Sequence, residues 1–121
     1  MNVLGDVLVA VVALLHGWFL VLEMFLWTKP LGLKTFRHTP EHARDSATLA
    51  ANQGLYNGFL AAGLVWGLIT VPLAQAFDVK VFFLSCVVIA GAYGAATVSK
   101  RIFFIQALPA IAALVLLGLS R

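Results

Sequence analysis

Four long apolar stretches constrain this 121-residue chain more than any other feature of its sequence. A helix that crosses a bilayer needs about 20 apolar residues, and stretches of that length lie near 5–27, 47–70, 80–98 and 102–120. They are continuously apolar and lack the period-two alternation of transmembrane β-strands. The sequence therefore predicts an all-α protein, a four-transmembrane-helix bundle that forms a single domain over residues 1–121.

The scarcity of charge excludes several classes of protein. Charged residues make up 11% of the chain and hydrophobic residues 62%, whereas a soluble domain carries about 25% charged residues. A soluble enzyme of this size could not bury so much apolar surface. A net charge of +3, scattered along the chain, excludes a nucleic-acid partner. Cys86 is the single cysteine, which excludes an internal disulfide and a thiolate metal cluster, and we expect no metal or cofactor.

The main polar connection, residues 28–46, lies between the first two stretches. Within it, Thr39-Pro40-Glu41 predicts a helix start, with a hydroxyl at the cap, a proline at the first position and an acid in the first turn. Pro72 and Asp78 mark the short second connection. The segment Val98-Ser99-Lys100-Arg101 predicts a tight turn into the last helix, which Pro109 should bend beside Gln106.

Basic residues predict the orientation of the four helices. The face formed by the first and third connections holds six of them, and the face that includes both termini holds only Lys80 and Arg121. Cytoplasmic loops carry an excess of lysine and arginine. We therefore expect a multi-pass protein of the cell (inner) membrane with both termini non-cytoplasmic and loop 28–46 cytoplasmic. The six residues are Lys29, Lys34, Arg37, Arg44, Lys100 and Arg101.

Polar side chains gather in the half of the bundle that is predicted to face the cytoplasm. His16 and Glu23 are seven residues apart and so share a helix face, about 10 Å apart along the axis. The second helix is antiparallel to the first, so Asn52 and Gln53 come level with Glu23. Asn57 comes level with His16 to within about one helical turn. Each remaining helix adds one or more polar groups to the same layer. The predicted ligand-binding residues are Asn52, Gln53, Tyr56, Asn57, Tyr93 and Gln106, beside the candidate catalytic pair His16 and Glu23.

Each of these features also has a structural interpretation. Glu23 could reach water at the interface, His16 could be a satisfied core histidine, and the amides could hold helices together. The small-residue stripe Gly54, Gly58, Gly63 and Gly67 predicts close helix packing within the chain or in a homo-oligomer. His38 and His42, with Glu41, fit a solvated loop better than a metal site.

One segment resembles a known family. The string Leu49-Ala-Ala-Asn-Gln-Gly-Leu-Tyr-Asn-Gly-Phe-Leu-Ala-Ala-Gly-Leu-Val-Trp-Gly67, together with His16 and the turn Leu22-Glu23-Met24, is similar to an uncharacterised family of short four-helix membrane proteins of bacteria and some fungi, a domain of unknown function. The resemblance covers the whole chain and implies a fold and a location but no activity. The motif positions present here are His16, Glu23, Asn52, Gln53, Tyr56 and Asn57.

Three functions remain open from the sequence. The first is a membrane protein that binds, and in one version transforms by acid–base chemistry, a small lipophilic or amphipathic ligand at Glu23 and His16. The second is a proton-coupled exporter that uses Glu23. The third is a structural or accessory subunit, in which the polar groups only join helices.

Overall fold

The computed structural model describes residues 3–120, and over that range the chain is helical with no strand. The all-α class is therefore confirmed. By length and composition, α1 and α4 are apolar enough to cross a membrane, and a shorter apolar helix spans Phe104–Leu119. Arg121, counted above among the basic residues, lies outside the described residues. The helices are α1 Val3–Met24, α2 Pro30–Phe36, α3 Pro40–Ile69, α4 Leu73–Thr97, α5 Lys100–Ile102 and α6 Leu108–Leu119, with a π-helical segment Phe103–Ala107 before α6.

Helix α3 begins where the motif Thr39-Pro40-Glu41 predicted. The Thr39 hydroxyl accepts a hydrogen bond from the His42 N–H at 3.1 Å, and the Thr39 carbonyl accepts one from the Ala43 N–H at 3.0 Å. The first bond uses an N–H group that a helix start leaves without a partner, and the second is the first regular bond of the helix. At 30 residues, α3 therefore extends well before the apolar stretch that was predicted from residue 47.

The connection 28–46 is more ordered than its composition indicated. It holds the short helix α2, which has Pro30 in its first turn and ends at Arg37 in the left-handed conformation (φ 55°, ψ 47°). Proline suits a first turn because the missing N–H would have no partner there. The connection predicted as one loop is therefore a helix, a turn and the first residues of α3.

Helix α4 also starts earlier than predicted, at Leu73 and not near residue 80. Asp78 is thus a helical residue, and the prediction that it marks the second connection is wrong. The charged residues near position 80 were the reason for starting the predicted helix there. Within α4, however, Lys80 has a partner in Asp6 at 2.7 Å. A charged residue that is paired can occupy a helix interior.

The last helix contains an irregularity beside its proline. The π-helical segment includes Gln106 and directly precedes α6, in which Pro109 occupies the first turn. Pro109 has no N–H to donate to the carbonyl four residues earlier, and π-segments are a common response to such a gap in the bonding ladder. An irregularity thus lies where Pro109 was expected to bend the helix, and the bend itself stays a prediction.

The chain divides into two compact units. One contains residues up to Leu15 and from Leu60 onward, and its apolar core draws on α1, α3, α4 and α6. At Gly91 a Cβ would lie 2.7 Å from the Ala107 Cβ, so α4 and the π-helical segment pack closely. The other unit is His16–Phe59 and comprises the end of α1, α2 and the first part of α3. The buried core residues of the first unit are Val9, Val12, Ala13, Leu64, Leu84, Val87, Ala110, Ala113 and Leu117.

Candidate functional site

Helix α1 carries two polar side chains on its buried face. His16 is fully buried and Glu23 is only 3% exposed. Their separation of seven residues is close to two helical turns, so one face presents both. The prediction that they share a face is therefore confirmed within the unit His16–Phe59.

Two amides of α3 hold the carboxylate of Glu23. Gln53 Nε2 donates to Glu23 Oε2 at 2.6 Å, and Asn57 Nδ2 donates to Glu23 Oε1 at 2.5 Å. Gln53 and Asn57 are four residues apart and so lie on one face of α3, one turn from each other. Each carboxylate oxygen thus accepts one bond, the pattern of a bidentate carboxylate held by two donors.

Close approach of the two helices makes these bonds geometrically accessible. Gly54 is buried, and a Cβ built there would lie 3.0 Å from the Glu23 Cβ, 2.8 Å from the Met24 Cγ and 3.3 Å from the Leu20 carbonyl oxygen. At Gly58 a Cβ would lie 2.6 Å from the Leu20 Cδ1. These contacts run in opposite directions along α1 and α3, so the helices are antiparallel here, as predicted.

The partners of the Glu23 carboxylate are electrically neutral. No lysine, arginine or histidine nitrogen of the described residues forms an ion pair with it. Asn57 is buried like Glu23, while Gln53 is exposed. A buried carboxylate with neutral donors can accept a proton or pair with a cation.

The other predicted site residues have different surroundings. The His16 ring meets the Phe19 ring edge-on, with centroids 5.3 Å apart. Asn52 and Tyr56 are exposed on α3, and Tyr56 faces the Phe59 ring at 5.9 Å.

Tyr93 and Gln106 belong to the other compact unit. Tyr93 is 72% exposed, and Gln106 is half-buried in the π-helical segment. Of the predicted set, Gln53 and Asn57 are joined to Glu23 by hydrogen bonds, and participation of the other residues in one pocket stays a prediction.

The glycine stripe of α3 packs against residues of the same chain. Gly54 and Gly58 face α1, as described above, and Cβ atoms built at Gly63 and Gly67 would collide with Phe83 and approach Lys80. The predicted close packing is present at each position. Association of two copies through this stripe stays a prediction, and these contacts give it no support.

Sequence reasoning missed an ion pair in the unit that contains both chain ends. Lys80 Nζ lies 2.7 Å from Asp6 Oδ1, with side chains 9% and 23% exposed. Gly67 leaves room for the lysine, since a Cβ there would lie 2.6 Å from the Lys80 Cγ. The available signal was the presence of opposite charges, Asp6 and Lys80, in two of the predicted helices.

A cluster of aromatic and histidine rings was also missed. Trp27 contacts Phe36 and His38, with centroids 4.7 Å and 4.5 Å away, and His38 lies 5.7 Å from His42. Trp27 Nε1 donates to Ser46 Oγ at 3.1 Å. His38 is thus half-buried against an indole, so the expectation of a fully solvated loop is wrong at this residue.

The helices and the buried carboxylate define a small all-α protein with a polar site between α1 and α3. The chain belongs to the family described as "Protein of unknown function (DUF1304)", whose pattern matches residues 10–118. It is similar to "Uncharacterized protein YpaA" of Lactococcus lactis subsp. lactis (strain IL1403), with 32% identity over 117 residues that cover 95% of this chain and 97% of that protein. No solved structure matches. These findings confirm the resemblance to an uncharacterised family with a bacterial member.

Proposed function

We propose that this chain is a multi-pass protein of the cell (inner) membrane that crosses the bilayer four times, with both termini outside the cytoplasm. Helices α1 and α4 have the length and composition of membrane spans. Helix α3, at 30 residues, is long enough to cross, and its three amides lower its hydropathy. Residues 100–119 are helical and are the proposed fourth crossing.

The same proposal assigns the Glu23 site to a small lipophilic cation. The observation that carries this assignment is that Glu23 is 3% exposed and that its partners among the described residues are the neutral amides of Gln53 and Asn57. Charges buried in apolar surroundings are normally paired. A cationic ligand that enters from the bilayer would supply the opposite charge, and its apolar body would match the surroundings.

The ion pair of Asp6 with Lys80 provides an internal comparison. There the chain neutralises a largely buried acid with its own base. At Glu23 the partners that the chain provides are two neutral amides. A glutamine in place of Glu23 would also join the helices, without the cost of burying a charge. This contrast supports a ligand role for Glu23 over simple helix association.

His16 lies on the same buried face, about 10 Å from Glu23 along the helix axis. That separation suits contact with another part of an elongated ligand more than direct transfer of a proton to Glu23. Binding is therefore the proposed function, and neither catalysis nor export is part of it.

Equilibrium binding of tetraphenylphosphonium to the purified full-length protein tests the assignment. We expect saturable binding that weakens at least tenfold in Glu23→Gln, because the variant keeps the shape but removes the charge. Glu41→Gln is the matched control, since Glu41 is an exposed acid with only an i, i+3 contact to Arg44 at 3.8 Å. The neutral analogue triphenylphosphine oxide should bind weakly to all three proteins.

Equal binding of tetraphenylphosphonium by the wild type and Glu23→Gln would refute a cation site at Glu23. Loss of binding in Glu41→Gln as well would show that surface charge attracts the probe. Membrane insertion is tested separately by alkaline carbonate extraction of membranes. Release of the wild-type protein into the soluble fraction would refute the four-span proposal.

A further inference from the structure

A basic and apolar surface lies around α2, outside the Glu23 site. It consists of the exposed residues Phe25, Lys29, Leu31, Lys34 and Arg37, and we call it the α2 surface. Phe25 is 64% exposed. From residue 25 to residue 37 the sequence contains three basic residues and no acidic one. The positive charge of this surface is therefore not balanced within its own segment.

This surface packs against the turn that follows α1. Gly32 is buried, and a Cβ there would collide with the Leu26 carbonyl, so α2 lies directly against the backbone of that turn. The Phe36 ring packs on Trp27 at 4.7 Å. The left-handed Arg37 ends the helix, and the His38 N–H donates to the Leu33 carbonyl at 3.3 Å.

The two faces of α2 differ in character as a result. Gly32 and Leu33 turn inward, whereas Leu31 and Lys34, one turn apart, are exposed on the opposite side. Lys29 and Arg37 flank the helix at its two ends. An exposed face that combines apolar and basic side chains is typical of segments that lie in the headgroup region of a bilayer.

We propose that the α2 surface binds the headgroups of anionic phospholipids. Lys29, Lys34 and Arg37 contact lipid phosphates, while Phe25 and Leu31 enter the boundary between headgroups and acyl chains. Charge complementarity favours this partner, because polybasic segments beside a membrane helix are attracted to anionic lipid. The inference rests on the proposed membrane location but is independent of the ligand at Glu23.

The test is native mass spectrometry of the full-length protein in detergent, with phosphatidylglycerol or phosphatidylcholine added. We expect the wild type to retain phosphatidylglycerol preferentially. Lys29→Gln combined with Lys34→Gln should weaken its binding by about tenfold or more. Lys100→Gln combined with Arg101→Gln removes the same charge from another connection and should have a smaller effect. Lys29→Arg with Lys34→Arg keeps the charge and should bind as the wild type does.

Three results would overturn the proposal. The first is equal retention of the two lipids by the wild type, which needs no variant to fold. The second is an equal loss in the two glutamine pairs, which would mean that total charge decides. The third is displacement of phosphatidylglycerol by polyglutamate at matched charge, which would indicate an acidic polypeptide as partner. Glu23→Gln should retain the lipid preference, so failure of the cation site and failure of this proposal are distinguishable.

Discussion

Glu23 shows how much of the site depends on single side chains. Its two oxygens have separate donors, and the donors differ in burial: Asn57 is buried and Gln53 is exposed. Water or a lipid headgroup can replace a lost partner only on the exposed side. The two amides are therefore expected to contribute unequally, although both bonds are short.

Replacing each amide in turn measures this difference. Asn57→Ala leaves a buried carboxylate oxygen without its donor and should lower the free energy of unfolding by about 1–3 kcal/mol. Gln53→Ala should cost less than about 1 kcal/mol, because its position is open to solvent or headgroups. Reversible unfolding of the two variants in the same detergent gives both values. A larger loss for Gln53→Ala than for Asn57→Ala would mean that burial does not control the site.

At the scale of helices, the close contact between α1 and α3 is the feature that positions the site. Gly54 lies between the two amides in sequence and directly against the backbone and Cβ of α1. The amides reach Glu23 because no side chain separates the helices at this point. A small residue in such a contact is a packing requirement and carries no chemistry of its own.

Gly54→Ala tests that requirement. The added methyl group meets the Glu23 Cβ at 3.0 Å and the Leu20 carbonyl oxygen at 3.3 Å, neither of which can rotate away. We expect a loss of about 1–3 kcal/mol in unfolding free energy and weaker binding at Glu23.

Gly17→Ala is the matched control for this substitution. It is a helical glycine of α1 with no atom within 4 Å of an added Cβ. Alanine there should be neutral or stabilise the helix by up to about 1 kcal/mol, because glycine is the poorer helix former. If the two variants have the same stability, close packing at Gly54 is not what positions the site.

The orientation of the chain in the membrane is a property of the whole molecule. The basic residues of the first and third connections outnumber those of the opposite face, and the ion pair with Asp6 neutralises Lys80. The excess of basic residues in the first and third connections predicts both termini outside the cytoplasm.

Reporter fusions after Arg121 test this orientation in cells. Alkaline phosphatase, which is active only outside the cytoplasm, should be active at that end. A fluorescent protein that folds only in the cytoplasm should be dark there. Fusions within the connection after Arg37 should give the reverse pattern. Fluorescence from the fusion after Arg121 would contradict the proposed topology and place the α2 surface outside the cell.

Local sequence rules were sufficient for several of these features. The helical class follows from continuous apolar stretches, the start of α3 from Thr39-Pro40-Glu41, and the shared face of His16 and Glu23 from the helical period. The irregularity before Pro109 follows from its missing N–H. Each depends on interactions within a few residues, which the sequence displays directly.

Tertiary structure decided the exact partners of the polar groups. The sequence placed Gln53 level with Glu23 but Asn57 level with His16, whereas both amides bond Glu23. Glu23 bonds residues 30 and 34 positions away, and Lys80 bonds a residue 74 positions away. Because such contacts depend on the register and rotation of packed helices, a shift of one turn would exchange the partners. The third helix was predicted to begin near residue 80, and the contact of Lys80 with Asp6 is what makes an interior position in α4 favourable. The sequence shows that a charged residue is present, but packing between distant segments determines the partner of that residue.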